Sequence, residues 1–80
     1  MKWAKAISKI KEAQNAGRDV VIKFHRKWAR NDHEFREGRV EMVVDYLWNG
    51  ETAWGVEVMT PGGEYYLEEG NWIIDEFVIA

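Results

Sequence analysis

The sequence predicts an α+β domain in which one N-terminal helix packs on an antiparallel sheet of four to five strands. Three observations carry that prediction. Apolar residues recur at helical spacing only in the first fifteen positions, and from Asp19 onward the period falls to two. Turn signals then punctuate the chain at short intervals, Asn49-Gly50 and Pro61-Gly62-Gly63 being the clearest. Eighty residues leave room for a single hydrophobic core, so residues 1–80 are read as one domain.

Trp3, Ala6, Ile7, Ile10, Ala13 and Gln14 share one face of a helix read from about residue 2 to 15, bordered by Lys2, Lys5 and Lys9. "NAG" stops it, because Gly17 tolerates the left-handed conformation of a helix C-terminus. A first strand follows, with Val20, Ile22, Phe24, Arg26 and Trp28 on one side and Val21, Lys23, His25 and Lys27 on the other. "ARNDHEFREG" reads as a long loop or the twisted end of a hairpin. In "RVEMVVDYLW" strict alternation sets Val40, Met42, Val44, Tyr46 and Trp48 against Arg39, Glu41, Val43, Asp45 and Leu47. Asn49-Gly50 makes the tight hairpin turn into "TAWGVEVM", where Gly55 marks a bulge or a close approach. After "TPGG" come a short strand "EYYL", a turn "EEGN" and a last strand "WIIDEFVI". Strands this short and glycine-rich also suit a sheet curled into a small SH3-like or OB-like barrel.

Composition narrows the function classes. There is no cysteine, hence no disulfide framework or thiolate metal site, which fits a reducing compartment. The lysine-studded N-terminus is unlike a signal peptide, and no apolar run nears the roughly 20 residues that cross a bilayer. A soluble, cytoplasmic protein is expected. Five tryptophans, each able to bury roughly 150–250 Å², serve either the core or a binding face. The net charge of −3 is unevenly spread: residues 1–30 hold nine Lys or Arg against two carboxylates, and residues 31–80 hold two Arg against twelve. Such asymmetry points to charged partners or to complementary strands lying side by side.

No catalytic or metal motif is present. His25 and His33, with Asp32 or Glu34 nearby, lack HxxH, HExxH or HxH spacing, so neither metal nor cofactor is expected. A His25–Glu41 or His33–Glu37 acid–base pair can be drawn, as in nearly any charged domain. "PGGE" lacks the strand-to-helix setting of a phosphate loop. The chain therefore reads as a non-enzymatic module.

Two binding surfaces compete. The acidic C-terminal half places Tyr65, Tyr66 and Trp72 among Glu64, Glu68 and Glu69, aromatic anchors with a charged rim. Such a surface suits a protein partner, and its carboxylates could imitate a phosphate backbone toward a nucleic-acid-processing enzyme. The alternative is a nucleic-acid grip by Lys23, Arg26, Lys27 and Arg30 on the first strand. Pairing of Lys23 and Lys27 with Glu41 and Asp45 across the first hairpin would remove that surface. An unpaired "WIIDEFVI" edge could also join a second copy.

"WAKAISKIKEAQNAGRDV" resembles the opening helix and Gly-basic-x-Val lead into a strand found in small phage-encoded accessory proteins, some of which block bacterial defence systems. "YYLEEGNWII" is similar to their closing strand. The resemblance lies at the two ends of the chain and implies a non-enzymatic inhibitor acting by occlusion, without assigning any functional residue.

Overall fold

A computed structural model describes residues 2–28 and 35–80. Helix α1 (Trp3–Asn15) precedes five strands, β1 (Val20–Arg26), β2 (Arg36–Trp48), β3 (Glu51–Thr60), β4 (Gly63–Glu68) and β5 (Trp72–Ile79). All pair antiparallel in the order β4-β3-β2-β1-β5, a four-strand meander whose last strand returns beside the first. The sheet does not close into a barrel: β4 and β5 remain its edges and meet through one isolated bridge, Glu69–Trp72. It is nonetheless strongly coiled, since only residues 69–71 link those opposite edges.

The helix covers one face. Trp3, Ala6, Ile7, Ile10 and Ala13 meet Val20, Ile22, Phe24, Val40, Val56, Val58, Leu67 and Ile74 in one core. The helix ends as its sequence dictates: Gly17 takes φ 75°, the Arg18 amide donates to the Ala13 carbonyl at 3.0 Å and the Gly17 amide to Gln14 at 3.0 Å. This double closure satisfies carbonyls that the helix terminus would leave unpaired. The Trp3 indole donates to the Trp72 carbonyl at 2.8 Å, tying the start of the helix to the start of β5. Asn49 at φ 51° and Gly50 at φ 80° make the expected hairpin turn.

Two irregularities bend the sheet. Between Val40 and Met42 the pairing advances two residues on β2 but one on β3, so Glu41 is a bulge. On β5, Lys23 faces Glu76 while Phe24 faces Ile74, so Asp75 is a second bulge. The first one overturns the strict alternation expected for this strand. Val40 faces the helix, but beyond the bulge it is Val43 that packs on the core, and Met42, Val44, Tyr46 and Trp48 turn to the other side. β1 is also shorter than expected: it stops at Arg26, and Trp28 lies in a turn, 77% exposed.

Gly38 shows how tightly the coiled sheet is packed. A Cβ there would come within 2.5 Å of Val58 Cγ1, 2.7 Å of the Met59 carbonyl oxygen and 2.8 Å of Thr60 Cγ2. The carbonyl belongs to the β3 backbone and can yield only by shifting the ladder. Gly38→Ala is expected to cost about 1–3 kcal/mol of unfolding free energy in urea titrations; an unchanged midpoint would show that β2 and β3 are not held so close.

Candidate binding face

The face opposite the helix has no covering element among the described residues. Across β2, β3 and β4 it carries Met42, Val44, Tyr46, Trp48, Met59 and Tyr66, of which Trp48 is 67% exposed, Met42 51% and Tyr66 44%. Side chains this apolar normally seek a dry face, and a contiguous group of them on an open sheet marks a contact surface. Glu57, Glu64 and Glu68 stand on the same side, Glu57 opposite Tyr66, Glu64 opposite Met59 and Glu68 opposite Gly55. Gly55 is the close approach anticipated at that position: the Tyr66 hydroxyl and ring lie across it, where any Cβ would collide with them. A side chain on Gly55 would lift the tyrosine off the sheet.

The turn after β4 completes the rim. The Glu69 amide donates to the Trp54 carbonyl at 2.9 Å, and the Trp54 amide donates to Glu69 Oε1 at 3.1 Å, clipping the turn onto β3. Beneath it a cleft of about 200 Å³ lies between Tyr46, Trp48 and Ala53 on the sheet and residues 68–71 of the turn. Partial burial, then the charge of Glu68, Tyr66 and the charge of Glu69 hold the Tyr46 phenol above its ordinary value. Tyr66 is likewise raised, by partial burial and then by Glu68 and Glu57.

The six acidic and aromatic residues singled out from the sequence do not share one surface. Glu64, Tyr66 and Glu68 belong to the open face, and Glu69 to its rim. Tyr65 and Trp72 fall on the helix side, because Tyr65 pairs with the core residue Val58 and Trp72 precedes core Ile74 by two. There they form an edge-to-face cluster with Phe24, at centroid distances of 5.8 Å for Phe24–Tyr65, 5.5 Å for Phe24–Trp72 and 6.0 Å for Tyr65–Trp72. Their place among the surface anchors is thereby corrected to a place beside the core. Conversely Met42, Val44, Tyr46, Trp48 and Met59 escaped sequence reasoning as members of the face. An apolar run at 42–44 carries no signal of which side each residue takes once a bulge intervenes.

The basic strand is also rearranged. Lys23 does not meet Glu41: it faces Glu37 on β2 and Glu76 on β5, with its Nζ 3.1 Å from Glu76 Oε1. The Glu76 hydrogen bond and charge, with Glu37, raise the Lys23 ammonium above its usual value. Asp45 pairs with Trp54 rather than with Lys27, and the Lys27 ammonium sits 5.6 Å from the Trp28 ring centroid. The Arg26 guanidinium lies 4.9 Å from the Trp72 ring centroid on the helix side. Thus Lys23 and Arg26 stand on opposite faces; Arg30 lies outside the described residues. His25 partners Asp75, not Glu41, with Nδ1 and Oδ2 2.8 Å apart, and its ring packs 4.6 Å from Phe35. The bulge at Asp75 aims that carboxylate at the imidazole. Of the other acid–base and metal candidates, Asp32, His33 and Glu34 lie outside the described residues. Among those described, no three His, Asp or Glu side chains are placed to hold a metal ion, and no helix is long and apolar enough to cross a membrane.

The raised phenols give a test of the geometry. Folded Tyr46 and Tyr66 keep their protons to higher pH than the unfolded chain does, so their contribution to stability is intact below about pH 10 and is lost as pH rises through their folded values. Tyrosinate absorbance near 295 nm, resolved by Tyr46→Phe and Tyr66→Phe difference spectra, should place both above the free phenol. Glu68→Gln should lower both, and Glu57→Gln only Tyr66; indifference to both changes would separate the rings from these carboxylates. No protein-family model matches the chain, and no curated protein or solved structure matches it, so function is argued from this face alone.

Proposed function

We propose that the protein is a small non-enzymatic binding module that docks a basic protein surface on the open face of β2–β3–β4. The observation that carries this reading is the uncovered set Met42, Tyr46, Trp48, Met59 and Tyr66, with Glu57 in its midst, Glu64, Glu68 and Glu69 along the β4 border and Arg39 the one described cation beside it, next to Met59. Apolar centres exclude water while a charged rim steers the encounter and selects the sign of the partner. A partner with a cationic groove, as nucleic-acid-processing enzymes possess, meets both requirements. The protein would then act as an inhibitor, occluding the groove by imitating the charge of a phosphate backbone. The resemblance of the chain's two ends to phage-encoded accessory proteins is in keeping with that role, and cytoplasmic action follows from it.

A nucleic-acid grip by the first strand has less support. Lys23 is engaged by Glu76, and Arg26 is turned toward Trp72 on the other face. It would show itself as oligonucleotide binding that weakens steeply with salt.

Pull-downs from cell extract with wild-type protein and with a Glu64→Lys/Glu68→Lys variant test the reading. Glu69 is spared because it holds the Trp54 amide. Proteins retained by the wild type should be lost with the variant and with rising salt, at unchanged circular dichroism. Identical retention by both, or fluorescence anisotropy showing salt-sensitive binding of labelled oligonucleotides that the variant strengthens, would overturn it.

A further inference from the structure

We infer that the cleft between Tyr46, Trp48 and the Glu68–Glu69 turn receives one cationic side chain, lysine or arginine, presented by the protein partner. This rests on the reading of the open face as a partner-binding surface and names the anchor that surface would use.

Four properties of the cleft converge on a cation. Two aromatic rings, Tyr46 and Trp48, form its sheet side, two residues apart on β2 and therefore on one side of the strand. Their electron-rich faces attract cations, and indole does so best. Glu68, at the end of β4, and Glu69, in the turn that follows, stand opposite. Both residues line the same cleft as the Tyr46 ring, and their charges help to raise its phenol. Among the described residues, none that lines the cleft is Lys, Arg or His, so these supply the rings and carboxylates with no cation within it. Among the described residues, the ammonium groups that approach rings do so elsewhere, as Lys11 does 4.5 Å from the centroid of Trp54 on the helix side.

The cleft is also built in advance. Glu69 Oε1 accepts from the Trp54 amide, while its second oxygen retains acceptor capacity. The Asn71 amide donates to the Glu68 carbonyl at 3.1 Å, and Gly70 at φ 99° lets the turn close. Little ordering remains to be done when a ligand arrives. At about 200 Å³ the space falls below the roughly 300–1,000 Å³ of small-molecule pockets. It suits a side chain better than a free cofactor.

The test uses Nα-acetyl-lysine methylamide and Nα-acetyl-arginine methylamide as probes, with Nα-acetyl-norleucine methylamide as the neutral control. Binding is followed by the NMR shifts of the Trp48 indole N–H and of the Ala53, Glu69 and Gly70 amides. At least one cationic probe should give saturable shifts at these groups, with dissociation constants on the order of 1–10 mM. The comparison of the two assigns ammonium or guanidinium. Glu68→Gln and Trp48→Ala should each weaken it about two- to fivefold, and Val78→Ser, on exposed β5 surface outside the cleft, should not. Equal shifts with the norleucine control, or no saturable shift with either cation, would overturn the inference. If the pull-down partners still depend on Glu64 and Glu68 in that case, the face stands without its anchor; if they do not, both fail together.

Discussion

One helix can dry only one face of a sheet, and everything else in this domain follows from that limit. Thirteen residues of helix reach about 20 Å. β2 alone, if straight, would extend about 40 Å, more than the 35 Å longest dimension of the molecule. The sheet must therefore coil under the helix to bring its buried side chains within reach. The bulges at Glu41 and Asp75 provide that coil, and Gly38 permits the close approach of β2 to β3 that accompanies it. The opposite face is left with water as its only cover among the described residues. Whatever apolar side chains coil outward are then available to a partner.

The Glu41 bulge decides which side chains those are. Without it, Met42, Val44 and Tyr46 would continue on the side of Val40 and compete for a core already filled by Ile10, Val56 and Val58. With it, Val43 returns to the core, Leu47 follows on the same side at the exposed end of the strand, and Met42, Val44, Tyr46 and Trp48 line the open face. The same inserted residue thus relieves the packing and builds the candidate surface. Gly55 does the corresponding work on β3, giving Tyr66 a flat bed next to Tyr46.

The helix, its stop at Gly17, the Asn49-Gly50 turn and all five strands were legible because each rests on local chemistry: helical spacing, positive φ, and period-two alternation. The Asp75 bulge was legible in principle too. The apolar series Trp72, Ile74, Phe77, Ile79 skips a step at Asp75, and that skip is where the pairing shifts. The Glu41 bulge was not, because Met42-Val43-Val44 is apolar throughout and satisfies either register. The division of Tyr65 from Tyr66 was readable from alternation alone, yet composition grouped them as one aromatic pair. Partners across strands, such as Lys23 with Glu76 or His25 with Asp75, depended on β5 returning beside β1, a long-range pairing that no local signal encodes.

That return also settles where the charges stand. The basic first strand is enclosed by β2 and β5, which bring Glu37, Asp75 and Glu76 to its outer side. The acidic strand β4, at the far edge, has a neighbour on one side only, and that neighbour contributes Glu57 and Met59 rather than a cation. Lys23 is therefore matched inside the sheet, while the carboxylates of β4 gather at the edge beside the exposed rings, with Arg39 next to Met59 on the same side. In this molecule topology, more than composition, decides which charges lie beside the exposed rings.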